Sequence, residues 1–278
     1  MKTHYTFTLQ GFWERCRQEY RYVTRRPWSL RDVGDFWDTV KEYDDVNAEL
    51  YPHEKRFTNS FVLSAPLLPR TDYTLLDIQA RSGKASLFWH QHGKIRSSVC
   101  VDFSDHLMSL ADRRLKGSGL SYTPVKISAL PLGFPDKTFD LVCSYETVEH
   151  IFEYGNFIEE LSRVMTDEGT MIITCPNVAW EWVHWLTAAI NINHSEGPHR
   201  FLHRGDLLRC FKKNGLKIMA ENTTIFLPFN NPLSIAVDQW LERTLPEIVK
   251  RSLGLRRTFV LKKYVSTSRD LNPARRSQ

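Results

Sequence analysis

Residues 73–86, YTLLDIQARSGKAS, decide the fold of this chain. Apolar residues on both sides of Asp77 predict a buried strand, and the residues after Gly83 predict a helix. Nucleotide-binding folds use such a strand, loop and helix to hold a cofactor, and they usually place glycines in the loop because glycine adopts positive φ. Gln79 and Arg81 stand in the loop here. The sequence therefore predicts a cofactor loop that has been altered in its side chains.

The rest of the chain predicts a doubly wound α/β fold. Short apolar runs alternate with helical stretches, and strands that are apolar on both faces indicate a parallel sheet covered by helices. We expect a Rossmann-like, seven-stranded, mostly parallel sheet whose last two strands are antiparallel, with strands at 74–78, 97–103, 124–128, 139–145, 169–176, 217–227 and 257–264. Ligands of such sheets bind outside the C-terminal strand ends, which makes DIQARSG, VDFSD, ISALP and SYETVEH the candidate site.

Regions of different character flank and interrupt this domain. Residues 1–65 predict a helical N-terminal cap, indicated by the helical spacing of Val33, Phe36, Trp37, Val40 and Tyr43. Residues 66–265 form the main domain, and residues 266–278 predict a disordered basic tail. An amphipathic helical insertion at about 231–255 is interpreted as a lid, a dimer contact or a membrane-surface contact. Its apolar side comprises Leu233, Ile235, Val237, Trp240, Leu241 and Leu245.

Composition narrows the class of protein. The chain has 278 residues, of which 42% are hydrophobic and 25% are charged, as is ordinary for a globular domain. The N-terminus lacks a signal-peptide pattern and no apolar run reaches the roughly 20 residues of a membrane span, so we expect a cytoplasmic protein. Five scattered cysteines without a CxxC pair predict reduced, buried thiols. From Lys250 onward the sequence has nine basic residues and one acidic residue, Asp270. This excess of positive charge indicates either an anionic partner or a solvated tail.

Five segments, in order, resemble the class I S-adenosylmethionine (SAM)-dependent methyltransferases, in particular the small-molecule branch that includes the ubiquinone-pathway O-methyltransferases. LLDIQARSG stands where that family has a pattern like hhDhGxGxG, in which h is a hydrophobic residue, and VCVDFSD resembles its acid-terminated second strand. ALPLGFPDKTFDLVCSYETVEHI, LSRVMTDEGTMIITCPN and GPHRFLHRGDLLRCFKKNGLKI resemble its later motifs. The matches cover roughly residues 74–220. The resemblance implies SAM-dependent methyl transfer on the predicted fold.

The resemblance also implies a set of cofactor contacts. Asp102, at the end of the second strand, would accept hydrogen bonds from the ribose hydroxyls, and Phe103 would pack on the adenine. The loop after the first strand would bring backbone N–H groups close to the cofactor. The other implied contacts are Asp77, Gly83, Ala129, Leu130 and Tyr145.

The chain departs from the family pattern at the cofactor loop. Gln79 and Arg81 replace two usual glycines, and Lys126 and Ser128 stand where many members have an acid that contacts adenine. The Arg81 guanidinium either meets the SAM carboxylate or occupies the space of the cofactor. Gln79 and Arg81 are therefore included among the expected cofactor contacts, as an altered site that still binds SAM.

The segment SYETVEHI predicts the chemistry beside the cofactor. On a helical turn, Glu146, Glu149 and His150 would share one face, which could hold a divalent cation. The resemblance implies a fourth metal ligand at His199, with His194 and His203 nearby. Without a metal, which we favour, Glu146 and His150 would be the catalytic groups that face the acceptor, with His150 as a general base. The alternative is that Glu149 and His150 only stabilise the fold.

The sequence identifies the residues that would bind the methyl acceptor less specifically. Trp182, Trp185, Leu186 and Ala189 share one helical side that either lines an acceptor pocket, touches lipid or belongs to the core. The resemblance places the cap residues Phe36, Trp37, Tyr43 and Tyr51 over the acceptor.

Three functions are compatible with these patterns. We favour methyl transfer to a small-molecule or lipid-linked acceptor, at oxygen, with peripheral membrane contact through the insertion. The alternatives are a catalytically inactive binding or scaffold protein, which the altered loop motivates, and an RNA methyltransferase. Nucleic acid is disfavoured because no basic and aromatic stripe flanks SYETVEHI. The sequence does not specify the oligomeric state.

Overall fold

The computed structural model describes residues 8–24, 27–40, 50–190 and 195–264. Seven strands form one sheet in the order β3-β2-β1-β4-β5-β7-β6. They are β1 Tyr73–Ile78, β2 Ile95–Asp102, β3 Ser121–Lys126, β4 Phe139–Tyr145, β5 Met165–Pro176, β6 Leu216–Thr224 and β7 Arg256–Lys263. The doubly wound, mostly parallel α/β fold predicted from the sequence is thereby confirmed.

Helices cover both faces of the sheet. Those before β1 are α1 Leu9–Thr24, α2 Leu30–Thr39 and α3 Tyr51–Ser64. The later ones are α4 Lys84–Gln91, α5 Asp105–Leu115, α6 Tyr154–Val164, α7 Glu181–Ala189, α8 Arg204–Lys213, α9 Pro232–Thr244 and α10 Glu247–Leu253. Among the described residues, no helix has both the length and the apolar character needed to cross a bilayer.

The last two strands pair antiparallel to each other, as expected. It is β7 that reverses direction, and it pairs antiparallel with β5 on one side and β6 on the other. Because β6 is antiparallel to β7, it runs in the same direction as β5. The chain reaches β6 through the crossover helix α8, whereas β7 inserts between β5 and β6 after the helical insertion.

The sheet has a hydrophobic core on each face, as the apolar runs predicted. In β1, Leu76 and Ile78 belong to one cluster, and Tyr73 and Leu75 belong to the other. Successive side chains of a strand point to opposite faces, so a strand buried on both faces must be apolar nearly throughout. Four cysteines, Cys100, Cys143, Cys175 and Cys210, are buried and Cys16 is half-buried, all as free thiols.

The N-terminal helices lie over the C-terminal edge of the sheet, one on each side. Helix α2 begins with a capping box between Ser29 and Asp32, and its Trp37 is buried in the same core cluster as Phe103. Helix α3 buries Phe57 in the opposite cluster. Tyr43, one of the predicted cap residues, and the predicted tail at 266–278 lie outside the described residues.

The tryptophan stripe of α7 corrects one interpretation. Trp182 is 67% exposed and Trp185 is 38% exposed, so the two tryptophans are not core, whereas Ala189 on the same side is fully buried. Val183, His184 and Thr187, on another side of the helix, instead line a large cavity. In α9, likewise, Leu233 and Trp240 are exposed. The helical periodicity located these apolar faces correctly, but it could not show that nothing in the described chain covers them.

Gly34 provides a test of the packing of α2. A Cβ atom at this position would lie 2.1 Å from the backbone oxygen of Phe103, so Gly34→Ala must push the helix away from β2. We expect a loss of about 1–3 kcal/mol in the free energy of unfolding, measured by urea denaturation. The control is Gly155→Ala in α6, where a Cβ meets no atom within 4 Å. That change should be neutral or stabilising, and equal losses in both variants would contradict the packing described for α2.

Candidate functional site

The loop between β1 and α4 keeps the backbone shape of a glycine-rich loop without its glycines. Gln79, Arg81 and Gly83 all have left-handed backbone conformations, with φ of 53°, 52° and 73°. A left-handed conformation costs a residue with a Cβ atom about 1–2 kcal/mol. Two such residues in one short loop indicate strain of the kind that is concentrated at functional sites.

Two buried aspartates hold this loop in place. The Asp102 carboxylate accepts backbone N–H hydrogen bonds from Arg81 at 2.7 Å, Phe103 at 2.7 Å and Ser104 at 3.0 Å. The Asp77 carboxylate accepts from the backbone N–H and the hydroxyl of Ser86, at 3.1 and 2.7 Å. Burial raises the pKa of each aspartate to about 6, although these hydrogen bonds favour the ionised forms.

Among the described residues, the buried side chain of Gln79 has no hydrogen-bond partner. It is 3% exposed, and neither its amide oxygen nor its amide nitrogen is hydrogen-bonded within that part of the chain. It lines a small cavity of about 20 Å³, here called the loop cavity, together with His53, Arg56, Phe57, Asp77, Ala80, Arg81, Ser82, Lys84, Ala85 and Tyr145. A buried amide costs free energy unless it is hydrogen-bonded, so this one is placed to meet a polar ligand.

Arg81 points away from the loop towards β4. Its Nη2 donates a hydrogen bond to the backbone oxygen of Glu146 at 2.6 Å, and its guanidinium lies 5.5 Å from the ring centre of Trp37. The side chain therefore lies between the cap helix α2 and the end of β4. Arg81 also lines the large cavity described below.

The residues expected to hold the adenosine are covered in this structure. Phe103 and Asp102 are buried, and Gly34 of α2 lies directly on the Phe103 backbone. Ala129 is exposed and Leu130 is half-buried, and neither lines the loop cavity or the large cavity. The amino-acid end of SAM therefore fits the loop, with its unpartnered amide and left-handed backbone. The adenosine end does not fit while α2 lies on Phe103.

A large cavity of about 440 Å³ opens beside the loop and is here called the acceptor cavity. Its floor is polar and comprises Arg81, Glu146, Glu149, His150 and Arg256. Its walls are mainly apolar, from the start of α3, from α7 and from the loop before α9; they include Leu50, Pro52, Trp180, Val183, Phe201, Pro228, Phe229 and Leu255. This volume and this combination of apolar walls with a few polar groups are typical of small-molecule sites.

Glu146 is bound to an arginine in an arrangement that the sequence reading missed. Arg256, the first residue of β7, donates from Nε and Nη2 to the two carboxylate oxygens of Glu146, at 2.8 and 2.7 Å. Burial alone would raise the pKa of Glu146, and the Arg256 guanidinium lowers it below its ordinary value. Arg256 also donates to the backbone oxygen of Pro52, so it joins β7 to the cap helix α3.

The helical turn expected to carry Glu146, Glu149 and His150 is only partly formed. Glu146 has a left-handed backbone, with φ of 54°, and only Val148–His150 forms a helical turn, of the 3-10 type. Glu146 therefore lies outside the turn that carries Glu149 and His150. Glu149 and His150 are each buried, and all three line the acceptor cavity.

The four proposed metal ligands are not gathered into a metal site. In the described part of the chain, no group of three or more His, Cys, Asp or Glu side chains is arranged to hold a metal ion. Both oxygens of Glu146 are engaged with Arg256, and the Nδ1 of His199 is 2.8 Å from the Gly197 oxygen. The rings of His150 and His199 have centroids 6.4 Å apart. His194 lies outside the described residues, and His203 precedes α8.

His150 has the geometry of a neutral base. Its Nδ1 is 3.1 Å from the Pro198 oxygen, which places the proton on Nδ1 and leaves the lone pair on Nε2. Nε2 lies 3.8 Å from a carboxylate oxygen of Glu196. Burial lowers the pKa of His150 to about 3, so the ring is neutral at physiological pH. Burial also raises the pKa of Glu149 well above its ordinary value, which the charge of Glu146 reinforces.

Three residues of the site were missed from the sequence: Arg256, Arg56 and His53. Arg256 and its neighbour Arg257 stand at the start of a strand with an apolar centre, which is a signal for a paired or functional charge. Arg56 and His53 lie on α3, where the sequence offers only a mixed helical pattern. Their position at the edge of the sheet depends on the tertiary packing of the cap.

Comparisons with known proteins find similarity to methyltransferases. The family described as "Methyltransferase domain" matches residues 76–173. The chain is 27% identical over 111 residues to a ubiquinone biosynthesis O-methyltransferase of Nitrobacter winogradskyi, covering 36% of this chain and 41% of that protein. It is 24% identical over 203 residues to an uncharacterised protein of Methanocaldococcus jannaschii, covering 72% and 81%. The chain thus spans about two fifths of the first of these relatives.

Solved structures share the fold at low sequence identity. The cyclase SpnF superimposes with a TM-score of 0.63 at 14% identity, covering 85% of this chain and 97% of that one. An S-adenosylmethionine-dependent methyltransferase from Mesorhizobium loti superimposes with a TM-score of 0.54 at 13% identity, covering 72% and 95%. At such identities the likeness establishes the fold alone.

The raised pKa of Asp77 predicts a pH-dependent difference in stability. The folded chain binds a proton at Asp77 up to about pH 6, whereas an unfolded aspartate has a pKa of 3.8. Between these values the folded state binds more protons, so lowering the pH favours folding. Relative to Asp77→Asn, the wild type should gain about 2.5 kcal/mol of stability from pH 7.5 to pH 4. Urea denaturation at several pH values measures this, and a pH-independent difference would contradict it.

The pairing of Glu146 with Arg256 predicts strong coupling between the two residues. Arg256→Met leaves a buried carboxylate without its partner and should cost about 3–5 kcal/mol of stability. The double variant Glu146→Gln with Arg256→Met should recover much of that loss. The exposed pair Lys137–Asp167, with a 2.6 Å contact, is the control, and Lys137→Met should cost at most about 1 kcal/mol. Additive losses at Glu146 and Arg256 would show that the pair is not coupled.

Proposed function

We propose that this chain is a class I SAM-dependent methyltransferase and that it methylates an oxygen of a small-molecule or lipid-linked acceptor bound in the acceptor cavity. The observation that carries the proposal is the position of that cavity. It lies at the C-terminal edge of the sheet, and Arg81 belongs both to its floor and to the cofactor loop. An acceptor held there would be next to the amino-acid end of the cofactor.

The chemistry requires little more than positioning and the removal of one proton. When bound, SAM supplies a methyl group on a sulfonium, which an acceptor oxygen attacks in line. Holding the acceptor in the right geometry contributes a large part of the rate of such a step. The apolar walls of the acceptor cavity would orient the acceptor, and they would also exclude water from the floor.

His150 is the residue best placed to take the proton of the acceptor hydroxyl. Its Nε2 lone pair belongs to a neutral ring that lines the acceptor cavity. The Glu196 carboxylate, 3.8 Å away, would stabilise the imidazolium that forms. Glu146, which the sequence suggested as a second catalytic group, is held by Arg256 and would instead fix the floor of the cavity and the Arg81 guanidinium above its carbonyl.

The residues that would hold SAM lie on the cofactor loop and at the end of β2. The backbone of the loop and the amide of Gln79 would meet the methionine part, and Asp102 and Phe103 would meet the adenosine. For Asp102 and Phe103 to do so, α2 must move off the Phe103 backbone, on which Gly34 lies. A metal has no place in this proposal, since both Glu146 oxygens are engaged by Arg256.

Support for an acceptor with a lipid chain comes from the surroundings of the acceptor cavity. Phe229 lines the cavity and is 58% exposed, and it lies three residues before α9, whose Leu233 and Trp240 are also exposed. Helix α7 lines the cavity with Val183 and presents Trp182 outward. Amphipathic helices with exposed tryptophan and leucine are typical of membrane-surface contacts. The names of several relatives, as ubiquinone biosynthesis O-methyltransferases, support oxygen as the methylated atom.

The test combines cofactor binding with acceptor methylation. Titration calorimetry with SAM and S-adenosylhomocysteine should show binding that Asp102→Ala abolishes. Transfer of labelled methyl groups should then be measured to phenolic acceptors with and without an isoprenoid chain. His150→Gln should lower kcat by about 100-fold or more, with SAM affinity unchanged, because general-base catalysis contributes about that much.

A full kcat in His150→Gln would contradict the role of this residue. Absence of SAM binding by the wild type would contradict the whole proposal. That result would favour a non-catalytic binding protein, which is the function that the packing of α2 on Phe103 supports.

A further inference from the structure

The segment between β6 and β7 borders the acceptor cavity, and its two ends meet at one hydrogen bond. The N–H of Leu255 donates to the backbone oxygen of Ile225 at 2.7 Å. Ile225 is fully buried and has a left-handed backbone, with φ of 68°. A β-branched residue rarely adopts this conformation, and such strain persists only where the surrounding structure over-determines it. Tertiary contacts therefore set the path of the chain after β6, which leads Pro228 and Phe229 to the cavity.

One buried carboxylate fixes the start of this segment and joins it to the cap. Asp238 of α9 is fully buried, and its Oδ1 accepts the backbone N–H groups of Phe226 at 2.6 Å and Leu227 at 3.0 Å. Its Oδ2 accepts the hydroxyl of Tyr51, the first residue of α3, at 2.7 Å. Burial, together with this hydrogen bond, raises the pKa of Tyr51 above its ordinary value, so the hydroxyl keeps its proton and donates.

Tyr51 makes a second contact with the same segment. Leu50 is the N-cap of α3 and provides no side-chain hydrogen bond, so the first N–H groups of the helix need other partners. The Oδ1 of Asn230 accepts the N–H of Tyr51 at 2.8 Å, from 179 residues away in the chain. Tyr51 is therefore bound on both sides of Pro228 and Phe229, through Asp238 and through Asn230, although it does not line the cavity itself.

Four apolar residues next to these contacts line the acceptor cavity and are here called the mouth wall: Leu50, Pro52, Pro228 and Phe229. Two of them adjoin Tyr51 in the chain, and the other two lie between the backbone groups that Asp238 holds and Asn230. Phe229 lines the cavity and is 58% exposed, so the mouth wall reaches the protein surface. An apolar wall that begins beside a polar floor and ends at the surface fits a ligand with a polar head and an apolar chain.

We propose that the mouth wall selects acceptors that carry an apolar chain, with Phe229 as the specificity-determining residue and Tyr51 as the positioning residue that fixes it. The inference rests on the proposed function, since it requires methyl transfer to a hydroxyl on the cavity floor. The chain would bind away from the reacting atoms and would stabilise the bound substrate and the transition state equally. Loss of the mouth wall should therefore raise KM for a chain-bearing acceptor and leave kcat unchanged.

The experiment compares phenol with ortho-farnesylphenol, which differ only in the chain. Transfer of labelled methyl groups from saturating SAM by the full chain gives kcat and KM for each. The wild type should have a KM at least about 10-fold lower for ortho-farnesylphenol, because two buried methylene groups already contribute that factor. Phe229→Ala should raise this KM about 10-fold and leave kcat, and both constants for phenol, unchanged.

A second variant tests the positioning role. Tyr51→Phe removes only the hydroxyl that Asp238 accepts, and it should raise the KM for ortho-farnesylphenol about 3- to 10-fold without changing kcat. The matched control is Tyr122→Phe, because the Tyr122 hydroxyl donates to an Asp112 carboxylate oxygen at the same distance of 2.7 Å and Tyr122 does not line the acceptor cavity. This control should leave the constants for both phenols unchanged.

The possible results separate the two proposals. If the wild type methylates both phenols with equal KM, the mouth wall selects no chain, and this inference is overturned while the proposed function stands. The same holds if Phe229→Ala and Tyr51→Phe change the constants for the two phenols by equal factors, since the residues would then only stabilise the fold. A wild type that methylates neither phenol would overturn the proposed function and this inference together.

Discussion

The Asp102 carboxylate makes the interaction on which the edge of the sheet depends. Its hydrogen bonds to the N–H groups of Arg81, Phe103 and Ser104 tie the loop after β1 to the end of β2. These bonds stabilise the left-handed backbone at Arg81 and thereby direct its side chain towards Glu146. Arg81, in turn, lines both the loop cavity and the acceptor cavity. A carboxylate expected to serve the cofactor therefore also shapes the loop that would receive it.

The fold could be predicted from the sequence because it depends on local patterns. Each strand is a short apolar run, and burial on both faces leaves little choice of residue at positions such as Leu75 and Leu76. For the candidate site, the sequence could predict only which segments lie at the C-terminal strand ends. Glu146 and Arg256 are 110 residues apart in the chain, and their pairing follows from β7 inserting between β5 and β6. The packing of Gly34 on Phe103 likewise depends on how the cap docks. The side of α7 that faces a cavity also depends on tertiary packing. Hydrophobic periodicity marks Trp182 and Trp185 as apolar, but it does not show what covers them.

Helix α3 connects the two cavities. Its first turn lines the acceptor cavity through Pro52 and His53, and one turn later Arg56 lines the loop cavity. Arg256 donates to the Pro52 backbone oxygen while it binds Glu146, so the floor of the acceptor cavity and the start of α3 are linked through one guanidinium. A ligand in either cavity would therefore contact the same helix. This shared helix gives a physical route for coupling between the two sites.

The left-handed conformations of Gln79 and Arg81 have a consequence for how such a loop changes during evolution. Glycine adopts this conformation freely, so an exchange between glycine and a larger residue at either position leaves the backbone path intact. The strain of about 1–2 kcal/mol per residue lies within what a chain of this size can tolerate. A lineage can therefore lose the glycine signature while it keeps the loop, and a search for that signature alone would miss proteins whose architecture is unchanged.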